Sequence, residues 1–342
     1  MLAASAGLAA CWLFVIAPLR AAPSSPDAGT SREFRYLMGT SVEVRAHGGT
    51  EAVRTEAIAE AFAAIVGVDR LMSNWRADSE LTAANHWAAE TDVHLSDPLF
   101  SVIQAGQTVA DRSGGAFDLT IGPAVTLWGF RSRKPHTPKP EELAAIRGAV
   151  GYRNVTLDAA RRTMRFARSG MEIDLGGIAK GFAVEVAAAS LRRRGLGGFI
   201  DAGGNQYMLG LPPGKLAWTV GVRDPDREAL LGVLDLPEGS VSTSAQYANF
   251  LVIDGRRVGH IIDPRTLTPA GGSLSVTLFS PDGTLADAVS KAAFVLGPAK
   301  GIALIDSFPD MLGVIAYRDA GGRVALAMND RARKVYRSVS MQ

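Results

Sequence analysis

The apolar pattern of this chain changes period part-way along, and that change bounds what the chain can fold into. Over residues 51–71 the apolar positions recur at helical spacing. Residues 96–112 do the same, with Ser96 placed as N-cap and Asp97-Pro98 in the first turn. Residues 179–194 form a third helical stretch, ended by Gly195. Short strands then crowd together at 199–201, 207–209, 218–222, 233–236, 241–243, 250–253 and 258–262. A strand at 274–279, helices at 285–296 and 299–306, and strands at 312–316 and 324–327 complete the series. Upstream, residues 34–47 alternate around Met38-Gly39-Thr40 and read as a hairpin, and 155–157, 164–166 and 171–173 read as short strands. Helices early and clustered antiparallel strands late predict an α+β fold: an antiparallel sheet or barrel-like core flanked by helices.

The N-terminus stands apart. Residues 1–19 are apolar and uncharged, long enough for a membrane span or a signal-peptide core. The expected organisation is therefore a signal peptide or membrane anchor at 1–22, a polar spacer at 23–32 and a catalytic domain at 33–342, exported to the periplasm and, with the anchor retained, held at the inner membrane. The sole cysteine, Cys11, lies in the apolar run, so the rest of the chain has neither thiol catalysis nor Cys-ligated metal. A net charge of +2 over 342 residues gives no nucleic-acid surface.

Several chemistries lack their motif. No G-x-G-x-x-G links a strand to a helix, no H-E-x-x-H or G-x-S-x-G is present, and the five His are scattered singly. Residues 210–215 suggest a phosphate loop but are one residue short, with Leu216 where Ser or Thr is needed.

Five segments carry a positive signal together. They are Met38-Gly39-Thr40; 114–123 (GGAFDLTIGP) with 127–130 (LWGF); 172–181 (EIDLGGIAKG); Thr243-Ser244 with 260–266 (HIIDPRT); and Ser275-Val276-Thr277 with Ala286-Asp287. In order and spacing they resemble the ApbE family, over nearly the whole chain after residue 33. The resemblance implies an FAD:protein FMN transferase. Such an enzyme cleaves the FAD pyrophosphate and attaches FMN to a Thr or Ser of an exported acceptor protein, with Mg²⁺ assisting. Phosphoryl-type transfer depends on positioning and on neutralising phosphate charge.

The resemblance assigns flavin-nucleotide contacts to Met38, Ala116, Phe117, Asp118, Asp174, Lys180 and Ile261. Trp75 stands where the family often has Tyr, a stacking position. His260 is the candidate acid or base, and Lys180 at a strand-to-helix junction is a point charge for an anion. The catalytic set is His260, Asp287 and Lys180. On residue chemistry alone, Asp174 reads equally as an N-cap, Met38 as core and His260 as a buried, bonded histidine.

Two positions depart from the family. The metal pair there is an Asp and a Thr four residues on, with a backbone carbonyl here assigned to Gly177; this chain has Asp287 but Lys291. An ammonium has three donors and no acceptor, so it cannot ligate Mg²⁺. Either Ser290 or water completes the shell, or Lys291 pairs with Asp287 and replaces part of the metal charge, or the two form an i,i+4 surface pair. Thr243-Ser244 is followed by Ala245-Gln246 where the family has Gly-Asp. Both changes leave two alternatives to transfer: an FAD-binding protein with little catalysis, and a hydrolase releasing FMN and AMP.

Overall fold

A computed structural model describes residues 29–131, 134–246, 250–253 and 255–339. The expected export segment lies outside the described residues. Eight strands form one antiparallel sheet in which spatial order equals chain order: β1 (Thr30–Leu37), β2 (Thr40–His47), β3 (Gly197–Ala202), β4 (Asn205–Leu209), β5 (Gly239–Ala245), β6 (Ser275–Ser280), β7 (Leu312–Arg318) and β8 (Val324–Met328). β1 begins inside the stretch read as a polar spacer. The β1–β2 register pairs Leu37 with Thr40, so Met38 and Gly39 alone make the turn. Both have positive φ, 51° and 75°. A two-residue hairpin requires that geometry, and Gly39 adopts it without a Cβ penalty, whereas Met38 is held there against preference.

Four long helices cover one face: α1 (Glu51–Met72), α2 (Asp97–Arg112), α3 (Ala179–Arg193) and α4 (Gly283–Asp306). Their apolar sides meet Val42, Val44, Ile200, Val276 and Leu278 of the sheet in the main core. β6 is buried along its whole length, under α4 on one side and a second cluster on the other. That second cluster seats a three-stranded sheet (Trp218–Arg223, Leu230–Leu236, Tyr336–Ser338) against the opposite face. α4 is long and apolar enough to span a membrane, but it is a core helix, bent at Gly297 (φ 76°) before Pro298. This is the break expected between 296 and 299.

A third, smaller cluster gathers Ala124, Trp128, Leu251, Ile253, Ile262 and Leu267 beside the main core. The segment 171–173, read as a strand, joins no sheet. Instead Asn85 accepts the Ile173 N–H at 2.8 Å, and the amides of Asn74 and Asn85 donate to the Ile173 carbonyl at 2.8 and 2.9 Å. Side chains from 88 and 99 residues away thus replace a ladder partner. The short helix Glu80–Trp87 that presents Asn85 was not expected from the sequence.

Candidate active site

Two cavities, about 300 Å³ and about 640 Å³, lie between the main core and the small third cluster. They share Trp75, Phe130, Asp174, Gly176 and Lys180, so they are two lobes of one cleft with those residues at the waist. The smaller lobe adds Ala116, Phe117, Asp118, Ser244, His260, Ile261 and Lys291; the larger adds Tyr36, Met38 and Asn74. Every residue assigned to the flavin nucleotide by sequence therefore reaches the cleft.

The waist is built by the segment before α3. Asp174 is not the helix N-cap; Ile178 holds that position and has no polar side chain to offer. Asp174 Oδ1 instead accepts the Gly176 N–H at 2.8 Å, and Oδ2 accepts Arg131 Nη2 at 2.7 Å. Arg131 also pairs with Glu172, and its side chain is only 16% exposed. The cap comes from another helix: Asp287 Oδ2 of α4 accepts the Gly181 N–H at 2.9 Å. Gly181 permits this because α3 and α4 touch there. A Cβ on it would sit 2.7 Å from Asp287 Cβ and 2.8 Å from the Gly283 carbonyl carbon. Lys180, on the same turn, donates to the Gly176 carbonyl at 3.1 Å and faces both lobes.

Asp118 serves structure as much as the cavity. Its Oδ1 accepts both the Thr120 N–H and hydroxyl at 2.8 and 2.7 Å, and Oδ2 accepts the Tyr152 N–H at 2.7 Å. Burial pushes its carboxyl above the usual carboxylate range in spite of those bonds. Trp75 is 63% exposed and stands at the rim, a place suited to stacking on a planar ligand.

His260 lines the smaller lobe on a loop pinned from beneath. Trp128 Nε1 donates to the Leu267 carbonyl at 2.8 Å, and the Arg147 guanidinium donates to the carbonyls of Arg265 and Thr266 at 2.9 and 3.1 Å. Trp128 stands in the motif segment 127–130, but its partner lies 139 residues away, so the sequence shows no role for it. The partners of Arg131 and Arg147 lie 41 to 119 residues away, and no local pattern marks either residue.

Asp287 does not line either lobe; it is fully buried. Lys291 does line the smaller lobe, and its ammonium pairs with Asp287 Oδ1. The pair is thus no surface feature: Lys291 stands between the carboxylate and the cleft. Burial pulls the Lys291 ammonium below the usual lysine range, Asp287 opposes that, and the nearby Lys180 charge adds to it. Ser290 faces the sheet, 3.1 Å from Ser242 Oγ and 2.8 Å from Ser244 Oγ, and donates to the Asp287 carbonyl at 2.8 Å. Gly177 lines the lobe beside Phe117 and Lys291, with no room to spare for a side chain on the Phe117 side. Among the described residues no three His, Cys, Asp or Glu gather as a metal site.

Comparison with known proteins gives the family of the chain. The model of the ApbE family matches residues 38–316. An FAD:protein FMN transferase of Treponema pallidum is 34% identical, over 87% of each chain. One of Klebsiella pneumoniae is 30% identical over 86% of each. The crystal structure of the ApbE protein of Thermotoga maritima superposes with a TM-score of 0.81 at 30% identity, covering 90% of this chain and all of that one. The flavin transferase ApbE of Vibrio cholerae gives 0.79 at 25% identity, over 90% and 99%.

Proposed function

The chain belongs to the ApbE family, and from that premise we propose that it is an FAD:protein FMN transferase acting on an exported acceptor protein. The observation that carries this reading is the two-lobed cleft with Lys180 at its waist. FAD has two planar ring systems joined through a pyrophosphate. Two lobes suit the rings, and the waist offers an ammonium and a Gly-Gly backbone beside a helix N-terminus, a favourable place for an anion.

In the reaction the acceptor hydroxyl oxygen forms a bond to the FMN phosphorus, and the bond from that phosphorus to the bridging oxygen breaks, releasing AMP. His260 receives the hydroxyl proton, being the imidazole that lines the lobe. Lys180 offsets charge on the phosphates. Met38, Phe117, Trp75 and Ile261 supply apolar and aromatic walls, with Ala116 keeping one wall thin. Asp174, fixed by Arg131, shapes the Gly176-Gly177 turn.

The family resemblance also implies Mg²⁺ at Asp287 with the Gly177 carbonyl. The residues present do not fit it. One Asp287 oxygen holds the Lys291 ammonium, the other the Gly181 N–H, and Ser290 is engaged with the sheet. A dication would have to displace a like charge. No step is assigned to the metal.

The test is incubation with FAD and a Thr-bearing acceptor peptide, read by mass spectrometry. A mass gain of FMN on the Thr is expected. FMN and AMP appearing without peptide labelling would make the chain a hydrolase. Unchanged FAD would make it a binding protein only. Export is proposed from the apolar residues 1–19. A fusion of residues 1–32 to a reporter active only in the periplasm should be active, and a soluble, inactive cytoplasmic fusion would overturn it.

A further inference from the structure

Resting on the FAD reading, we infer that this chain carries its own pyrophosphate counter-charge, the Lys291 ammonium, and binds FAD without a divalent cation. Three observations carry it. First, Asp287 is fully buried and caps α3 through Gly181, so it cannot leave, and a buried carboxylate requires a positive partner. Lys291 is that partner, from one helical turn away on α4. Second, Lys291 lines the smaller lobe as Lys180 does, and the two charges act on each other. Two lysines lining one cavity repel each other, and an anion bound there relieves the repulsion. The pyrophosphate of FAD carries two negative charges; Lys180 meets them with a full charge, and Lys291, already paired with Asp287, with the positive end of that pair. Third, a dication needs acceptor oxygens, and the ammonium supplies none while occupying the carboxylate that would.

The charge placed by Lys291 is covalently attached, so a chelator does not remove it. Substituting Thr would remove it and restore a hydroxyl acceptor next to Asp287. The lysine and metal modes therefore separate cleanly in binding, without reference to turnover.

The experiment is FAD titration by flavin fluorescence, in EDTA and in excess Mg²⁺, on wild-type protein, Lys291→Met and Lys291→Thr. Wild-type affinity is expected to agree within about twofold between the two buffers. Lys291→Met should bind FAD about tenfold or more weakly in both, the loss of one charge-assisted contact. Lys291→Thr should be weak in EDTA and recover in Mg²⁺. A parallel Mn²⁺ titration by electron paramagnetic resonance, with metal alone, should show a saturable site in Lys291→Thr and none in wild-type. Wild-type binding that collapses in EDTA, or a saturable Mn²⁺ site in wild-type, would overturn the inference, and these two readings need no variant to fold. Undiminished binding by a folded Lys291→Met would overturn the part given to the ammonium. No saturation by FAD up to about a millimolar in either buffer, the weak end of specific affinity, would instead overturn the FAD reading itself.

Discussion

Replacing Gly181 by Ala tests the contact on which the cleft's waist depends. Gly181 of α3 and Gly283 of α4 face each other, and each lacks room for a side chain: a Cβ on Gly283 would lie 2.8 Å from the Gly181 carbonyl oxygen. The obstacles to a Gly181 Cβ are main-chain atoms and the buried Asp287 Cβ, none of which can swing aside. Overpacking of this kind costs about 1–3 kcal/mol, and a rigid neighbour places it at the upper end. Ala recovers up to about 1 kcal/mol of helix propensity over Gly. The net expected loss is about 2 kcal/mol. With an unfolding entropy near 2.1 cal/mol/K per residue over roughly 300 ordered residues, that lowers Tm by about 3 °C. The control is Gly67→Ala in α1, where nothing lies within 4 Å of an added Cβ. There only propensity acts, and Tm should rise by about 1 °C. Differential scanning calorimetry reads both. Because Gly181 donates to Asp287, its variant should also bind FAD more weakly, while Gly67→Ala should not. A Gly181→Ala protein as stable as Gly67→Ala would refute the close helix crossing and the geometry of the Lys291 pair built on it.

Arg131→Gln should destabilise the protein by about 2 kcal/mol, less than a deeply buried pair because Glu172 and Asp174 are partly solvated, and should weaken FAD binding as the Gly176-Gly177 turn loosens; urea midpoints and flavin titration read it, and a silent variant would show that Asp174 holds its turn alone. Trp128→Phe leaves the buried Leu267 carbonyl without its donor, an expected loss of about 1–3 kcal/mol, with a raised KM for the acceptor as the His260 loop shifts; an unchanged KM would detach that loop from acceptor binding. Glu185 is pushed above the usual carboxyl range by burial first and the Asp282 charge second, against the Thr284 and Gly283 bonds. Its folded form therefore holds a proton the unfolded chain has lost, so its penalty grows as pH rises from the ordinary carboxyl value through the raised one. Glu185→Gln should raise Tm at pH 8 and gain little at pH 4; a gain independent of pH would refute the assignment.

Parts of this architecture are local, and those parts are legible in the sequence. A two-residue hairpin at Met38-Gly39 follows from alternation on either side, and the α4 bend follows from Gly297-Pro298. The segment 171–173 misleads because it is apolar and extended, as a strand is, yet its hydrogen bonds come from Asn74 and Asn85. Glu80–Trp87 escapes notice because eight residues give barely two turns of periodicity. The residues that the resemblance assigns to the nucleotide are legible because all but Trp75 stand in the five motifs, whereas Tyr36 and Asn205 line the cleft with no motif to mark them. Arg131 and Arg147 were missed because each does its work on a distant loop, from stretches whose composition reads only as basic or irregular.

Lys291 is the case where burial, invisible in sequence, decides between readings. Four residues from Asp287 on a helix, it looks like a surface pair worth a few tenths of a kcal/mol. Asp287 at zero exposure makes it a partner the carboxylate cannot do without. Asp287 with a dication would leave one net positive charge facing the pyrophosphate; Asp287 with Lys291 leaves no net charge, only the positive end of the pair. Lys180 must therefore carry a larger share of the anion's neutralisation in this chain than in its Lys291→Thr variant loaded with Mg²⁺. One charge-assisted contact is worth about 1.5–3 kcal/mol, so Lys180→Met should weaken FAD binding by roughly 10- to 100-fold in the wild-type background in EDTA. The same substitution in Lys291→Thr with Mg²⁺ should cost at least about threefold less. A double-mutant cycle on FAD affinity measures the difference directly. Equal losses in the two backgrounds would mean that Lys180 and the charge at Asp287 act on separate parts of the ligand, and that the two lysines do not share one pyrophosphate.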